Sequence, residues 1–70
     1  MPKLYSSAKI VKILEKRGFI YISQRGSHAK YRKAGSPVLT AIVPMGKKEI
    51  PTGTFRSILR QSRLTEKDFD

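Results

Sequence analysis

Residues 19–43 hold three strand-like runs joined by turns too short for a parallel crossover, and this limits the fold more than any other feature. Phe19-Ile20-Tyr21-Ile22-Ser23-Gln24-Arg25 is rich in the aromatic and β-branched residues that suit a pleated strand. Both of its alternating positions are apolar at the start, so periodicity does not say which side faces a core. Gly26-Ser27 marks a turn. From Ser27 to Lys33 the alternation is clean: Ala29 and Tyr31 point one way, and His28, Lys30 and Arg32 the other. Ala34-Gly35-Ser36-Pro37 supplies the next turn, and Val38 to Val43 forms a third strand that Pro44 closes. The three runs therefore predict an antiparallel meander.

An amphipathic helix flanks the strands on each side. Ser6 or Ser7 is a natural N-cap for a helix over residues 8–17, and Gly18 ends it. At 100° per residue Ile10, Val11, Ile13 and Leu14 share one arc, with Lys9, Lys12 and Lys16 opposite. After a loop at residues 45–50, Pro51 fits the first turn of a second helix, where its missing N–H costs nothing. That helix sets Phe55, Ile58, Leu59 and Ser62 on one face and Arg56, Arg60 and Arg63 on another. Thr65-Glu66-Lys67-Asp68 has the pattern of a capping box that starts a short last turn, which Phe69 pins. The expected fold class is α+β, in the order α-β-β-β-α: a three-stranded antiparallel sheet with two helices on one face. The other sheet face, with His28, Lys30 and Arg32, is left to solvent.

Seventy residues predict one domain spanning 1–70. The absence of cysteine removes disulfides, thiol catalysis and thiolate zinc sites. No apolar run approaches the roughly 20 residues of a membrane-spanning helix, and the start does not read as a signal peptide. A soluble, cytoplasmic protein without a membrane role is expected. Charge says more. Residues 1–64 carry fourteen Lys and Arg against two Asp and Glu, or +12. Self-repulsion on this scale points to a polyanionic partner, since surfaces built for solubility mix both signs.

His28 is the sole histidine, and its sequence neighbours are cations and small polar residues: Arg25, Gly26, Ser27, Lys30 and Arg32. No carboxylate is near it, so neither a carboxylate pair nor a two-metal site is supported, and no metal or other cofactor is called for. One imidazole among cations suits attack on an RNA phosphodiester by the adjacent 2′-hydroxyl. That reaction needs a base for the hydroxyl proton and positive charge for the phosphate oxygens. A lone histidine is also commonly a surface or hydrogen-bonded structural residue. Gly26 allows a tight bend and close phosphate approach, or is an ordinary hairpin glycine. Ser27 donates to a phosphate oxygen, or merely closes the turn. Arg32, Arg56, Arg60 and Arg63 are read as RNA-binding residues. Lys47 and Lys48 join them just ahead of the second helix, whose free N–H groups attract anions.

Gly18-Phe19, Gln24-Arg25-Gly26-Ser27-His28-Ala29-Lys30-Tyr31, Val43-Pro44 and Gly53-Thr54-Phe55-Arg56-Ser57-Ile58-Leu59 together resemble the HicA family of bacterial and archaeal mRNA interferase toxins. The resemblance spans nearly the whole chain, and its specific part is Gly26-Ser27-His28 followed by Lys30 and an aromatic. It implies a fold like the double-stranded-RNA-binding domain, cleavage of mRNA, and neutralisation by a HicB-like antitoxin. The family's catalytic histidine falls on His28. Many relatives carry a second histidine where this chain has Met45, and some carry one at Ala29. A mechanism with separate histidine acid and base is therefore closed to this chain.

Two other readings use the same residues. A non-catalytic RNA-binding module of the same plan would bind RNA without making new ends. A protein-interaction module would use its basic face only for an acidic partner.

Overall fold

Ser6 opens the first helix as its N-cap, its hydroxyl accepting from the Lys9 N–H at 3.1 Å. The computed structural model describes residues 4–70; Met1-Pro2-Lys3, part of the start read above for a signal peptide, lies outside the described residues. Helix α1 (Ser7–Lys16) buries Ile10, Ile13 and Leu14 and leaves Lys9, Lys12 and Lys16 exposed, as its periodicity predicts. Each buried aliphatic side chain is worth about 1.5–3 kcal/mol, against about 1 kcal/mol for a serine cap. The apolar face thus holds the helix, and the cap sets where it starts. Gly18, at φ +97°, turns the chain out of the helix.

Strands β1 (Ile20–Arg25), β2 (His28–Lys33) and β3 (Leu39–Pro44) form one antiparallel sheet in the order β1-β2-β3. Ala29, Tyr31, Ala41 and Val43 face a core that also takes in Ile10, Ile13 and Leu14 of α1, and Phe55 and Ile58 of helix α2 (Thr52–Ser62). Both helices thus contribute to the same core, in the α+β arrangement expected. The helices cover β2 and β3 and leave β1 uncovered, with Ile20, Tyr21 and Ile22 exposed. The ambiguity of β1 in sequence has part of its cause here: within Ile20–Arg25 no residue is buried.

A register shift separates Tyr21 from Ser23. Tyr21 stands opposite Tyr31 and Ser23 opposite Lys30, so Ile22 is an unpaired extra residue, a β-bulge. The exposed ring of Tyr21 meets the buried ring of Tyr31 edge-on at 5.8 Å.

Helix α2 begins at Thr52, with Pro51 as N-cap, one residue earlier than the first-turn position expected for it. It packs on β3, and Gln61 reaches the strand's outer edge, where its side-chain oxygen accepts from the Ile42 N–H at 2.9 Å. After α2 the chain reverses into a 3₁₀ turn, Glu66–Phe69, opened by the predicted Thr65–Asp68 capping box. Phe69 is fully buried against Tyr5 and Phe55, with ring centroids at 5.9 and 5.2 Å. Among the described residues no helix is long and apolar enough to cross a membrane.

The loop after β3 is fastened to the start of α1 by Ser7. The Ser7 hydroxyl donates to the Pro44 carbonyl at 2.6 Å and accepts from the Lys47 N–H at 3.0 Å, while the Ser7 N–H donates to the Lys47 carbonyl at 2.9 Å. Ser7 is buried and both of its hydroxyl bonds are partly shielded from solvent, so removing the hydroxyl takes this partner from the Pro44 carbonyl and the Lys47 N–H. Ser7→Ala is expected to lower stability by about 1–3 kcal/mol, read as a fall in the urea midpoint at unchanged slope.

The last turn supplies a pH-dependent contribution. The Thr65 N–H, at 2.8 Å, holds the Asp68 carboxyl below its ordinary value of 3.8, helped by the Thr65 hydroxyl at 3.1 Å and Arg17 at 2.9 Å. A carboxyl with a depressed folded-state pKa stabilises the protein above its unfolded value and loses that contribution as pH falls through the folded one. Thermal unfolding of Asp68→Asn should therefore show a flatter loss of stability below about pH 4 than wild type.

Candidate active site

Gly26 and Ser27 form a two-residue hairpin loop between Arg25 and His28, which are direct partners across β1 and β2. Gly26 has φ +59° and Ser27 does not have positive φ, the pattern of a type II′ turn with glycine first. A Cβ on Gly26 would meet nothing within 4 Å, so its backbone conformation, not crowding, calls for glycine. Gln24 braces the turn by donating from Nε2 to the Gly26 carbonyl at 3.0 Å.

On the open sheet face the strand partners make rows. Arg25, His28 and Pro44 form the first, Ser23, Lys30 and Ile42 the second, and Ile20, Arg32 and Thr40 the third. His28 is exposed at the end of the sheet, with Lys30 half-buried beside it on the same strand face. The first two rows enclose a shallow cleft of about 480 Å³, lined by Ser23, Gln24, Arg25, His28, Lys30 and Ile42. A second cleft, of about 440 Å³, shares His28 and Ile42 and adds Ser27, Pro44, Lys47, Pro51 and Thr54. Neither has a carboxylate in its walls. Among the described residues, no three His, Asp or Glu side chains gather in a way that could hold a metal ion.

The structure thus brings together five of the residues singled out in sequence. Arg25, His28 and Lys30 share the first cleft, and Ser27 and Lys47 meet His28 in the second. Gly26 shapes the turn between them without lining either cleft. Arg32 stands one row beyond the first cleft, and Lys48 lines neither. The arginine row expected on α2 is shorter than helical spacing implies. Helix α2 ends at Ser62, and Arg63 adopts the left-handed conformation (φ 60°), which takes it off the helical face. The Ser62 hydroxyl accepts from the Leu64 N–H at 3.3 Å as the chain turns back toward Phe69. Arg56 and Arg60 are exposed on the helix and line neither cleft; Arg60 donates to the Ser57 hydroxyl at 3.4 Å.

Several cleft residues carry no signal of a cleft role in their type or periodicity, although Gln24 and Thr54 fall within the motifs that resemble the HicA family. Ile42 reads as one more strand aliphatic, and Gln24 as an ordinary polar end to β1. Thr54 sits in the first turn of α2, three residues after Pro51, and both line the second cleft.

A basic α+β chain with an exposed histidine between two cation-lined clefts is equipped to handle a polyanion. The family profile described as the HicA toxin of bacterial toxin-antitoxin matches residues 7–64 of the 70. The chain belongs to the HicA toxin family, and is thus the toxin of a toxin–antitoxin pair. Among curated proteins none matches the chain.

Gly26→Ala tests the turn. Forcing an L-residue to positive φ costs about 1–2 kcal/mol, so a lower thermal midpoint of that order is expected, even though the added methyl meets open space.

Proposed function

We propose that this toxin is a metal-independent endoribonuclease that cleaves mRNA at His28 and so inhibits translation and growth until its antitoxin binds. The observation that carries this reading is the exposed imidazole flanked by Arg25 and Lys30 in a cleft without carboxylates. Such a wall attracts a phosphodiester and offers it a single proton acceptor.

The reaction is a transesterification. His28 takes the proton of the 2′-hydroxyl, and the 2′-oxygen attacks the adjacent phosphorus. As that P–O bond forms, the P–O5′ bond breaks, and the 5′-oxygen leaves with a proton supplied by Lys30 or water. The products are a 2′,3′-cyclic phosphate and a free 5′-hydroxyl. Arg25 and Lys30 stabilise the charge that builds on the phosphate oxygens. Gly26 and Ser27 shape the phosphate pocket, and Arg32, Lys47, Lys48, Arg56, Arg60 and Arg63 add affinity along the RNA backbone. One histidine serves as base because Met45 stands where relatives carry a second; turnover is correspondingly slow. A HicB-like antitoxin neutralises the toxin by covering the open sheet face and setting an acidic group against His28 and Lys30.

The test is cleavage of an mRNA fragment by purified protein in EDTA, with mapping of product ends. Wild type should yield 2′,3′-cyclic phosphate ends. His28→Ala should lose cleavage while binding RNA with nearly unchanged affinity, and Lys30→Ala should cut at least about tenfold more slowly. Equal cleavage by wild type and His28→Ala, or RNA binding without any new ends, would overturn the proposal. RNA affinity should also fall steeply as salt rises.

A further inference from the structure

The two clefts adjoin at His28 and Ile42, which line both. We infer that the clefts are two nucleotide subsites, one for each side of the bond cut at His28, and that Lys47 and Thr54 form the subsite on the side away from Arg25 and Lys30. This rests on the reading of His28 as the site of RNA cleavage.

The chemistry requires two places. The attacking 2′-hydroxyl belongs to one nucleotide and the leaving 5′-oxygen to the next, so an imidazole reaching the bond between them has a nucleotide on either hand. In-line attack also demands that both be held, since misplacing either moves the oxygen out of line. The dimensions fit. At about 480 and 440 Å³, both hollows fall in the range of small-ligand pockets, roughly 300–1,000 Å³. Their walls are alike in kind. The first sets Arg25 and Lys30 beside the Ser23 hydroxyl and the Gln24 amide, and the second sets Lys47 beside the hydroxyls of Ser27 and Thr54. Ile42 is the apolar wall common to both, half-buried between them.

The second subsite is built on anchored backbone. The Lys47 N–H and carbonyl are both bonded to Ser7, at 3.0 and 2.9 Å, so its Cα is fixed although its side chain is exposed. Thr54 lies in the first turn of α2 next to Phe55, whose ring is buried against Tyr5 with centroids 5.0 Å apart. Side chains rooted on backbone held in this way bind with less loss of freedom than the same groups on a mobile loop. Lys48, the next residue, carries the same charge but lines neither cleft. It therefore separates a subsite from general attraction.

The experiment is a coupling measurement. Short single-stranded RNAs carry the mapped cut step with a 2′-deoxyribose at the attacking position, which prevents cleavage. Each is made complete, or lacking the base on one side of the step, or lacking the base on the other. Binding is measured by fluorescence anisotropy to wild type, Lys47→Ala, Thr54→Val and Lys48→Ala, each checked for folding by circular dichroism. In wild type, loss of either base should weaken binding about tenfold. In Lys47→Ala and Thr54→Val the penalty on one side, the same side for both, should shrink to about twofold while the other stays near tenfold. Lys48→Ala should weaken all three RNAs alike. Unchanged penalties on both sides in Lys47→Ala and Thr54→Val overturn the subsites, as does indifference of wild type to either missing base. If wild type cuts the all-ribose parent and these penalties do not move, only the subsite assignment falls. If it cuts nothing, the cleavage reading falls and takes the subsites with it.

Discussion

Strand β1 has to serve two faces that ordinary alternation would set against each other. Arg25 must face the open side, because it stands opposite His28 and lines the same cleft. Counting back by twos from Arg25 would put Ser23, Tyr21 and Phe19 on that side as well. Phe19, however, is fully buried, and Tyr21 lies opposite the buried Tyr31. The unpaired Ile22 reverses the facing of everything before it, so the aromatics turn to the core side while Ser23 and Arg25 keep theirs. Burying a side chain such as Phe19 is worth about 1.5–3 kcal/mol, a substantial share of what a domain of this size can hold in reserve. Bulge, core and cleft are one arrangement.

The far side of the site depends on a different set of bonds. Pro44 is the β3 partner of His28, and its carbonyl is held by the Ser7 hydroxyl. The Met45 N–H donates to the Ser27 carbonyl, extending the β2–β3 pairing past the proline. Ile42 is fixed from the opposite edge by Gln61. Pro44 occupies the same phase of the strand as Ile42, with its nitrogen directed away from β2, so its missing N–H costs the ladder nothing. The loop that carries Lys47 thereby takes its position from the start of α1, the wall Ile42 from the end of α2, and His28 from the hairpin. Three segments distant in sequence converge on one residue.

This convergence explains which features were legible in the sequence. The period-two pattern of β2 and the period-3.6 pattern of α1 are local, each residue's side being set by its immediate neighbours, and both match the structure. The capping box at Thr65 and the turn at Gly26 are local in the same sense. Membership of the first cleft was half legible, since Arg25, His28 and Lys30 lie within six residues on a hairpin whose register follows from its two-residue loop. Of the second cleft Ser27, His28 and Lys47 were singled out, but not that they meet Thr54 and Pro51. Thr54 and Ser27 are 27 positions apart, and the β2–β3 pairing extended by Met45, the Ser7 bonds and the packing of Phe55 bring their elements together. The arginine row on α2 is shorter by Arg63 for the opposite reason: local spacing assumed a helix that continues, whereas the chain turns back after Ser62 to bury Phe69.

The few acids complete the electrostatic argument. Asp68 is spent on the Thr65 cap and on Arg17, and Asp70 accepts from the Tyr5 hydroxyl at 2.9 Å. Neither these two nor Glu15, Glu49 or Glu66 lines a cleft. With a net charge of +10, any carboxylate placed near His28 would have found an internal partner and relieved local repulsion. Two of the acids are instead tied down where they close the C-terminal turn over the aromatic cluster. The cations around His28 therefore keep their charge unneutralised within the molecule, and that unmet attraction is available to a phosphate chain or to an acidic partner that displaces it.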